Sequence, residues 1–353
     1  MNAIQKLQNL LPDTVDCLLV TCEKNQRYLT GLNYTDGYVL VSRDHTWLLA
    51  DFRYIEVAKR CESNDLTVIL LESRRTALAN LFADHKLRRV GFEDNAMTYS
   101  TLETMKQAFP SVDFVPCSNI LETMREIKTA DEVAHIVTAQ RIAEKALERL
   151  LPLMTPNMTE IDVALELEYG MRKLGADKAS FDTVAVSGSA SSLPHGEPRN
   201  SKLEKGFLTM DFGALYQGYC SDMTRTIVIG KADEEMKKVY HTVLTAQLAA
   251  LDYVDTGKTG AACDKIARDI IYGAGYEGCF GHSLGHGVGM FIHESPRLAT
   301  TWDKPLVVGN VVTVEPGIYL EGKYGVRIED MVWLSPDGPV NLTKAPKDLI
   351  ELF

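Results

Sequence analysis

The chain has 353 residues, 45% hydrophobic and 24% charged, with a formal net charge of −11 at pH 7. That length implies roughly two domains with real cores, and the acidic balance opposes the phosphate neutralisation on which nucleic-acid and anionic-membrane binding depend. No run of about 18 apolar residues could span a bilayer, and the opening "MNAIQKLQNLLPDT" lacks the basic and apolar regions of a secretory signal, so a cytoplasmic protein with no membrane or nucleic-acid partner is expected.

Seven cysteines lie at Cys17, Cys22, Cys61, Cys117, Cys220, Cys263 and Cys279 with no CxxC pair. This suits a reducing compartment and argues against a thiolate zinc site. They are read as small buried apolar residues. Residues 1–125 alternate short apolar runs ("DCLLVTC", "GYVLVS", "TWLLAD", "LTVILLE", "RRVGFED") with helical stretches such as "TALANLFADHKL" and "TYSTLETMKQAF". The alternation predicts a small α/β domain. At Thr129 the pattern changes, because Thr129 and Glu132 form a capping box ahead of apolar positions at helical spacing. A second domain over 126–353 is expected to open there. Further helices are predicted in the stretch ending at Gly175, at about 233–254 and at about 260–272. Strand pairs follow without regular βαβ alternation, which indicates α+β. The "TGKTG" at 256–260 lacks the earlier glycine of a phosphate-binding loop, Asp252 standing in its place. It reads as a loop before a helix.

The stretch "LTMDFGALYQGYCSDMTRTIVIG" at 208–230 reads as two strands around a tight turn near Tyr216 and Gln217. If Leu215 pairs with Gly218, Asp211 pairs with Asp222, and like charges directly opposed in a ladder require a cation between them. The alternative is a slipped register with both aspartates solvated. A second pair of strands, "NVVTVEPGIYLEGKYGVRIEDMVWL", ends its first strand at Glu315 and carries Glu329 in the second. Burial of an uncompensated Glu315 would be costly, and Glu329 shares a strand face with Arg327. Between the two, "GHSLGHGVGMFIHE" at 281–294 holds His282, His286 and His293 among four glycines. Those glycines make a helical ligand pair costly and are read as allowing close approach to a ligand or a positive φ. Asp211, Asp222, Glu315, Glu329 and one histidine make an oxygen-rich set with too much charge for one zinc. It suits two harder divalent ions sharing carboxylates, which can hold a bridging hydroxide and polarise a carbonyl. Hydrolysis is the chemistry expected.

Five motifs carry a family resemblance: "SLPHG" at 192–196, "DFGALYQGYCSDMTRT" at 211–226, "GHSLGHGVG" at 281–289, "TVEPGIY" at 313–319 and "GVRIED" at 325–330. With "RYLTGLNYTDGYVLV" and "LLADFRY" near the amino terminus, the chain resembles the creatinase-like, or pita-bread, metallopeptidases. Within them it is most similar to the proline-specific branch of Xaa-Pro dipeptidases (prolidases) and aminopeptidase P. The resemblance implies a creatinase-like α/β domain over 1–125 and a pita-bread catalytic domain over 126–353. It implies Asp211, Asp222, His286, Glu315 and Glu329 as metal ligands, with Asp222 and Glu329 lying across both ions or chelating one. Glu315 is implied as general base or proton shuttle, and His195, His282 and His293 as substrate-binding histidines that stabilise developing charge. Arg327 is implied as a residue orienting the neighbouring acids.

The resemblance further implies two divalent ions, manganese first, with cobalt, iron or zinc as alternatives, and a homodimer acting on short proline-containing peptides. Met290 and Phe291 depart from the family's usual leucine and small or acidic residue, so a differently shaped pocket wall is expected there. All five ligand positions are filled. That disfavours creatinase itself and the metal-silent binding proteins of this fold, while the long preceding domain disfavours methionine aminopeptidases. Dipeptidase is the leading expectation, and aminopeptidase P, acting on longer peptides, is the alternative.

Overall fold

The five apolar runs of the amino-terminal region become five of its six strands in the computed structural model, which describes residues 2–353. The six are β1 (Cys17–Val20), β2 (Tyr38–Ser42), β3 (Thr46–Ala50), β4 (Leu66–Leu70), β5 (Arg89–Phe92) and β6 (Asp113–Pro116). They form one mixed sheet in the order β4-β3-β2-β1-β5-β6. Strands β1 and β3 are buried at every position, which is why their sequences run apolar without alternation: both sheet faces are covered. Leu18, Val39 and Leu48 pack on one face with Leu7 and Leu29, and Leu19, Leu40 and Leu49 on the other with Leu78, Phe82 and Met105. The short β6, "DFVP", carries too little pattern to be read as a strand from sequence. The chain divides into two compact units after Met124.

The second unit begins its first helix, Ala130–Leu150, at Thr129, whose hydroxyl accepts from Glu132 N at 3.3 Å while the Glu132 carboxylate accepts from Thr129 N at 2.8 Å. A second helix, Glu160–Lys173, is followed by Gly175 at φ 104°, a left-handed turn that stops it. Strands β7 (Lys178–Ala179), β8 (Val184–Ser187), β9 (Gly206–Phe212), β10 (Ala214–Tyr216), β11 (Tyr219–Cys220) and β12 (Met223–Ile229) follow. Helices Glu234–Tyr253 and Gly260–Gly273 come next, with Thr259 of the "TGKTG" loop capping the latter. The chain ends in β13 (Gly285–Gly287), β14 (Glu294–Leu298), β15 (Val311–Val314), β16 (Gly317–Leu320), β17 (Tyr324–Arg327), β18 (Asp330–Ser335), β19 (Gly338–Asn341) and β20 (Glu351–Leu352).

Two of the four sheets of the second unit position the site, in the orders β20-β12-β9-β8 and β14-β13-β15-β18-β19. The first rests Ala185, Leu208, Met210, Phe212 and Ile227 on the helix pair 130–150 and 160–173. The second rests Leu298, Val312, Val314, Val332 and Leu334 on the pair 234–253 and 260–273. Each sheet therefore has one face committed to helices, and the polar residues of both emerge on the other. The sheets meet where Glu329 N donates to Thr224 O at 3.2 Å.

The register of the first hairpin differs from the one read from sequence. The turn residues are Gln217 and Gly218, at φ 50° and 86°, a two-residue loop of the primed type that matches strand twist and favours glycine at its second position. Leu215 accordingly pairs with Cys220, and Asp211 with Thr224 rather than Asp222. The slip is two residues. Side-chain period in a strand is also two, so Asp222 still lies on the Asp211 side, as a diagonal neighbour.

Candidate metal centre

The four acids and one imidazole at issue come from five strands, the acids at or near strand ends. Asp211 is near the end of β9, Asp222 immediately precedes β12, Glu315 follows β15, Glu329 precedes β18, and His286 is the centre of β13. Val314 pairs with Asp330, so Glu315 and Glu329 leave the β15–β18 ladder side by side. The glycines around His286 serve the protein rather than a ligand. None of Gly281, Gly285, Gly287 and Gly289 has a positive φ, and a Cβ on Gly285 would stand 2.0 Å from Thr313 O. Gly285 and Gly287 let β13 lie tightly between β14 and β15, which fixes the height of His286.

Asp222, His286 and Glu329, all buried, each offer a ligand atom within 4.8 Å of the others. His286 Nε2 is 3.6 Å from Asp222 Oδ2 and 3.3 Å from Glu315 Oε1, while its Nδ1 is 3.1 Å from Gly287 O. A carbonyl can only accept, so Nδ1 carries the proton and Nε2 turns a lone pair toward two carboxylates. Acceptors facing acceptors need a cation between them. Asp211 Oδ2 accepts from Arg327 Nη2 at 2.6 Å, but its Oδ1 is buried without a partner among the described residues. Among the same residues the Glu329 carboxylate receives only the Thr224 hydroxyl, at 2.7 Å. A carboxylate-rich set with one imidazole, facing inward and short of donors, fits divalent cations of the harder kind.

The electrostatics agree with that fit. Burial pushes the Asp222 carboxyl well above the usual range, and the charges of Glu329, Asp211 and Glu315 add to it. Glu329 is raised by burial and by Glu315 and Asp211, and Glu315 is lifted by burial to about 8 against the pull of Arg327. Burial drives His286 down to about 3, with neighbouring His293 contributing. Ligands in this state surrender protons when a cation enters.

The remaining residues expected in the site line the same cavity, of about 400 Å³: His195, His282, His293 and Arg327. His195 and His293 are exposed to it, and the His293 ring stands edge-on to His286 with centroids 4.4 Å apart. His282 is half-buried and lowered to about 4 by desolvation and by Arg327. Its Nε2 contacts Tyr319 Oη at 2.8 Å. Arg327 spans the site, donating to Asp211, Thr224 Oγ1 (3.0 Å), Pro194 O (3.1 Å) and Tyr319 Oη (2.7 Å). Its tie to Pro194 holds the backbone next to His195.

Sequence reasoning did not single out Thr224, Tyr319, Arg297 or Asp182, the last two of which also line the cavity. Thr224 had a signal, since it is the true cross-strand partner of Asp211. Met290 and Phe291 do not line the cavity: Met290 is buried, and the Phe291 ring takes the Arg125 guanidinium at 4.7 Å. The departure there leaves the pocket wall untouched.

The model of metallopeptidase family M24 matches residues 134–336, and that of the creatinase/prolidase N-terminal domain matches residues 4–127. The chain belongs to metallopeptidase family M24. Membership implies a metallopeptidase that uses divalent metal ions, for which the acid-rich cavity is the candidate centre. An Xaa-Pro dipeptidase of Pyrococcus horikoshii is 37% identical to the M24 chain, over 96% of this chain and 95% of its own length. Among solved structures, an Xaa-Pro dipeptidase from Bacillus anthracis superposes with TM-score 0.95 at 40% identity, covering 99% of each chain. An X-Pro aminopeptidase from Thermotoga maritima superposes with TM-score 0.92 at 35% identity, covering 98% of this chain and 100% of its own. The α+β architecture expected from the motifs, creatinase-like domain followed by pita-bread domain, is the one these relatives share.

Proposed function

We propose that the chain is an Xaa-Pro dipeptidase using two divalent ions, manganese first among them, held by Asp211, Asp222, His286, Glu315 and Glu329. When bound, the ions supply a water activated for attack and polarise the scissile carbonyl. The side chains do the rest. Glu315, whose Oε1 stands 3.3 Å from His286 Nε2 inside the ligand cluster, takes and returns the proton of that water. His195 and His293 hold the substrate carbonyl and the proline side, and donate to charge developing on oxygen, while His282, with Nδ1 on Ser283 O and Nε2 on the Tyr319 hydroxyl, positions Tyr319 beside them. Arg327 fixes Asp211, Thr224 and Tyr319 relative to one another. The bond before proline suits such a site because its tertiary amide offers no N–H, so hydrolysis cannot depend on a backbone donor there.

The observation that favours a dipeptidase over an aminopeptidase is Arg297. It lines the cavity, pairs across the strands with His286, and makes no ion pair or side-chain hydrogen bond among the described residues. A free cation there fits the carboxylate of a substrate that ends at proline. The same reading takes 1–125 and 126–353 as the working domains and the active form as a cytoplasmic homodimer, for which seven cysteines outside any disulfide are the supporting observation as to compartment. Hydrolysis of Ala-Pro and Ala-Pro-Ala by metal-stripped protein, with and without manganese, tests it. Manganese-dependent cleavage of Ala-Pro with the tripeptide intact is expected, and Glu315→Ala should lower the rate by about 10²–10⁴-fold. Preferential cleavage of the tripeptide moves the chain to the aminopeptidase P reading.

A further inference from the structure

Arg297 has a counterpart of opposite sign on the other side of the cavity. Asp182 also lines it, is exposed, and makes no ion pair or side-chain hydrogen bond among the described residues. A carboxylate beside an acid-rich centre is repelled by its neighbours, so its place there is unfavourable until something cationic arrives.

The order of strands across the site gives the two charges their meaning. From one edge it runs β8, β9, β12, then through the Glu329–Thr224 contact to β18, β15, β13 and β14 at the other edge. Metal-ligand candidates occupy the inner strands: Asp211, Asp222, Glu329, Glu315 and His286 in that order. The unanswered charges occupy the two outer ones. Asp182 lies two residues before Val184 of β8, which pairs with Asp211, and Arg297 of β14 pairs with His286. Both line the same cavity of about 400 Å³, so a short peptide enclosed there meets a cation on one side and an anion on the other.

We propose that Asp182 receives the free α-ammonium of the substrate, so that Asp182 and Arg297 together recognise both ends of a dipeptide zwitterion and fix its direction in the cavity. This rests on the exopeptidase reading above. The exposed Asp182 accepts no side-chain hydrogen bond among the described residues, which suits a ligand that brings its own three N–H groups. A charge-assisted hydrogen bond of this kind contributes to affinity for the amine, and it is absent when the amine is acylated.

The test uses the manganese-loaded enzyme and its Asp182→Asn variant, an exposed isosteric change, on Ala-Pro, Lys-Pro and N-acetyl-Ala-Pro. Where turnover of the acetylated compound is too slow, its inhibition constant against Ala-Pro is measured instead. The variant should lose about ten- to hundred-fold in kcat/KM on both free dipeptides, carried by KM with kcat little changed. The acetylated compound should respond to the variant hardly at all, and Asp182→Glu should recover part of the loss. An unchanged ratio between free and acetylated compounds in the variant overturns the proposal. So does a loss confined to Lys-Pro, which would assign Asp182 to the substrate side chain. A wild-type enzyme inactive on both Ala-Pro and Ala-Pro-Ala removes the exopeptidase reading and this proposal with it, whereas an active wild type with an indifferent variant removes the proposal alone.

Discussion

The consecutive acids Glu329 and Asp330 are both buried, yet their surroundings push them in opposite directions. Against the upward push of burial, Arg225 and Lys347 hold the Asp330 carboxyl below the usual range, at 2.8 and 2.7 Å, and Asn341 adds a third donor at 2.8 Å. Glu329 has the Thr224 hydroxyl alone, and burial with the charges of Glu315 and Asp211 raises it well above that range. Glu160 is of the Asp330 kind, receiving Ser187 and Arg199. The difference separates two uses of a buried carboxylate. One is completed by the protein's own cations and holds the fold; the other is left short of donors and can be completed only by something added.

Breaking the completed acid should have the largest effect. Asp330→Asn leaves Arg225 and Lys347 buried without their counter-charge and should cost about 3–5 kcal/mol of unfolding free energy, read from urea denaturation at pH 7. Glu329→Gln should leave the metal-free protein no less stable than wild type while abolishing its metal uptake. A Glu329→Gln variant destabilised as much as Asp330→Asn would erase the distinction. The next effect is smaller. Thr224→Val removes the only hydroxyl that Glu329 accepts and should weaken metal affinity by about 10–100-fold, measured by competition with a chromogenic chelator, with the fold unchanged.

The smallest effect sharpens the comparison through pH. Glu315 rises from 4.5 to about 8 on folding, so between those values the native protein keeps a proton that the unfolded chain has released, and stability falls as pH rises. His286 moves the other way, from 6.5 to about 3, and its contribution is complete above pH 6.5. From about pH 6.5 to 8 the carboxylate effect acts unopposed. Chelator-treated protein should therefore show a urea midpoint that declines over this interval, and metal-loaded protein should not. A flat profile for both forms would mean that Glu315 is ionised without metal.

The candidate centre was more legible in the sequence than the geometry that assembles it. The acids and the histidine announced themselves by their density beside apolar strands and glycines, and the structure brings all five to one cavity. The hairpin register was misread by two because the turn was placed one residue early, at Tyr216–Gln217 instead of Gln217–Gly218. The face survived only because two is the strand's own period. The glycines at 285 and 287 were linked to a ligand, whereas what they admit is the backbone of neighbouring strands. Tyr319, Arg297 and Asp182 could not have been found locally. Their meaning depends on which strands lie at the edges and which at the centre, and that order is set by pairings across as many as a hundred residues.

That arrangement also has a consequence in time. A growing chain that has emerged through residue 280 has both acids of the first hairpin, Asp211 and Asp222, and none of His286, Glu315 and Glu329. Two carboxylates on one hairpin are a poor trap for an ion, and the long-range pairings that supply the others form late. Metal capture thus waits on the docking of one sheet against the other, which makes cofactor loading a report that folding has finished.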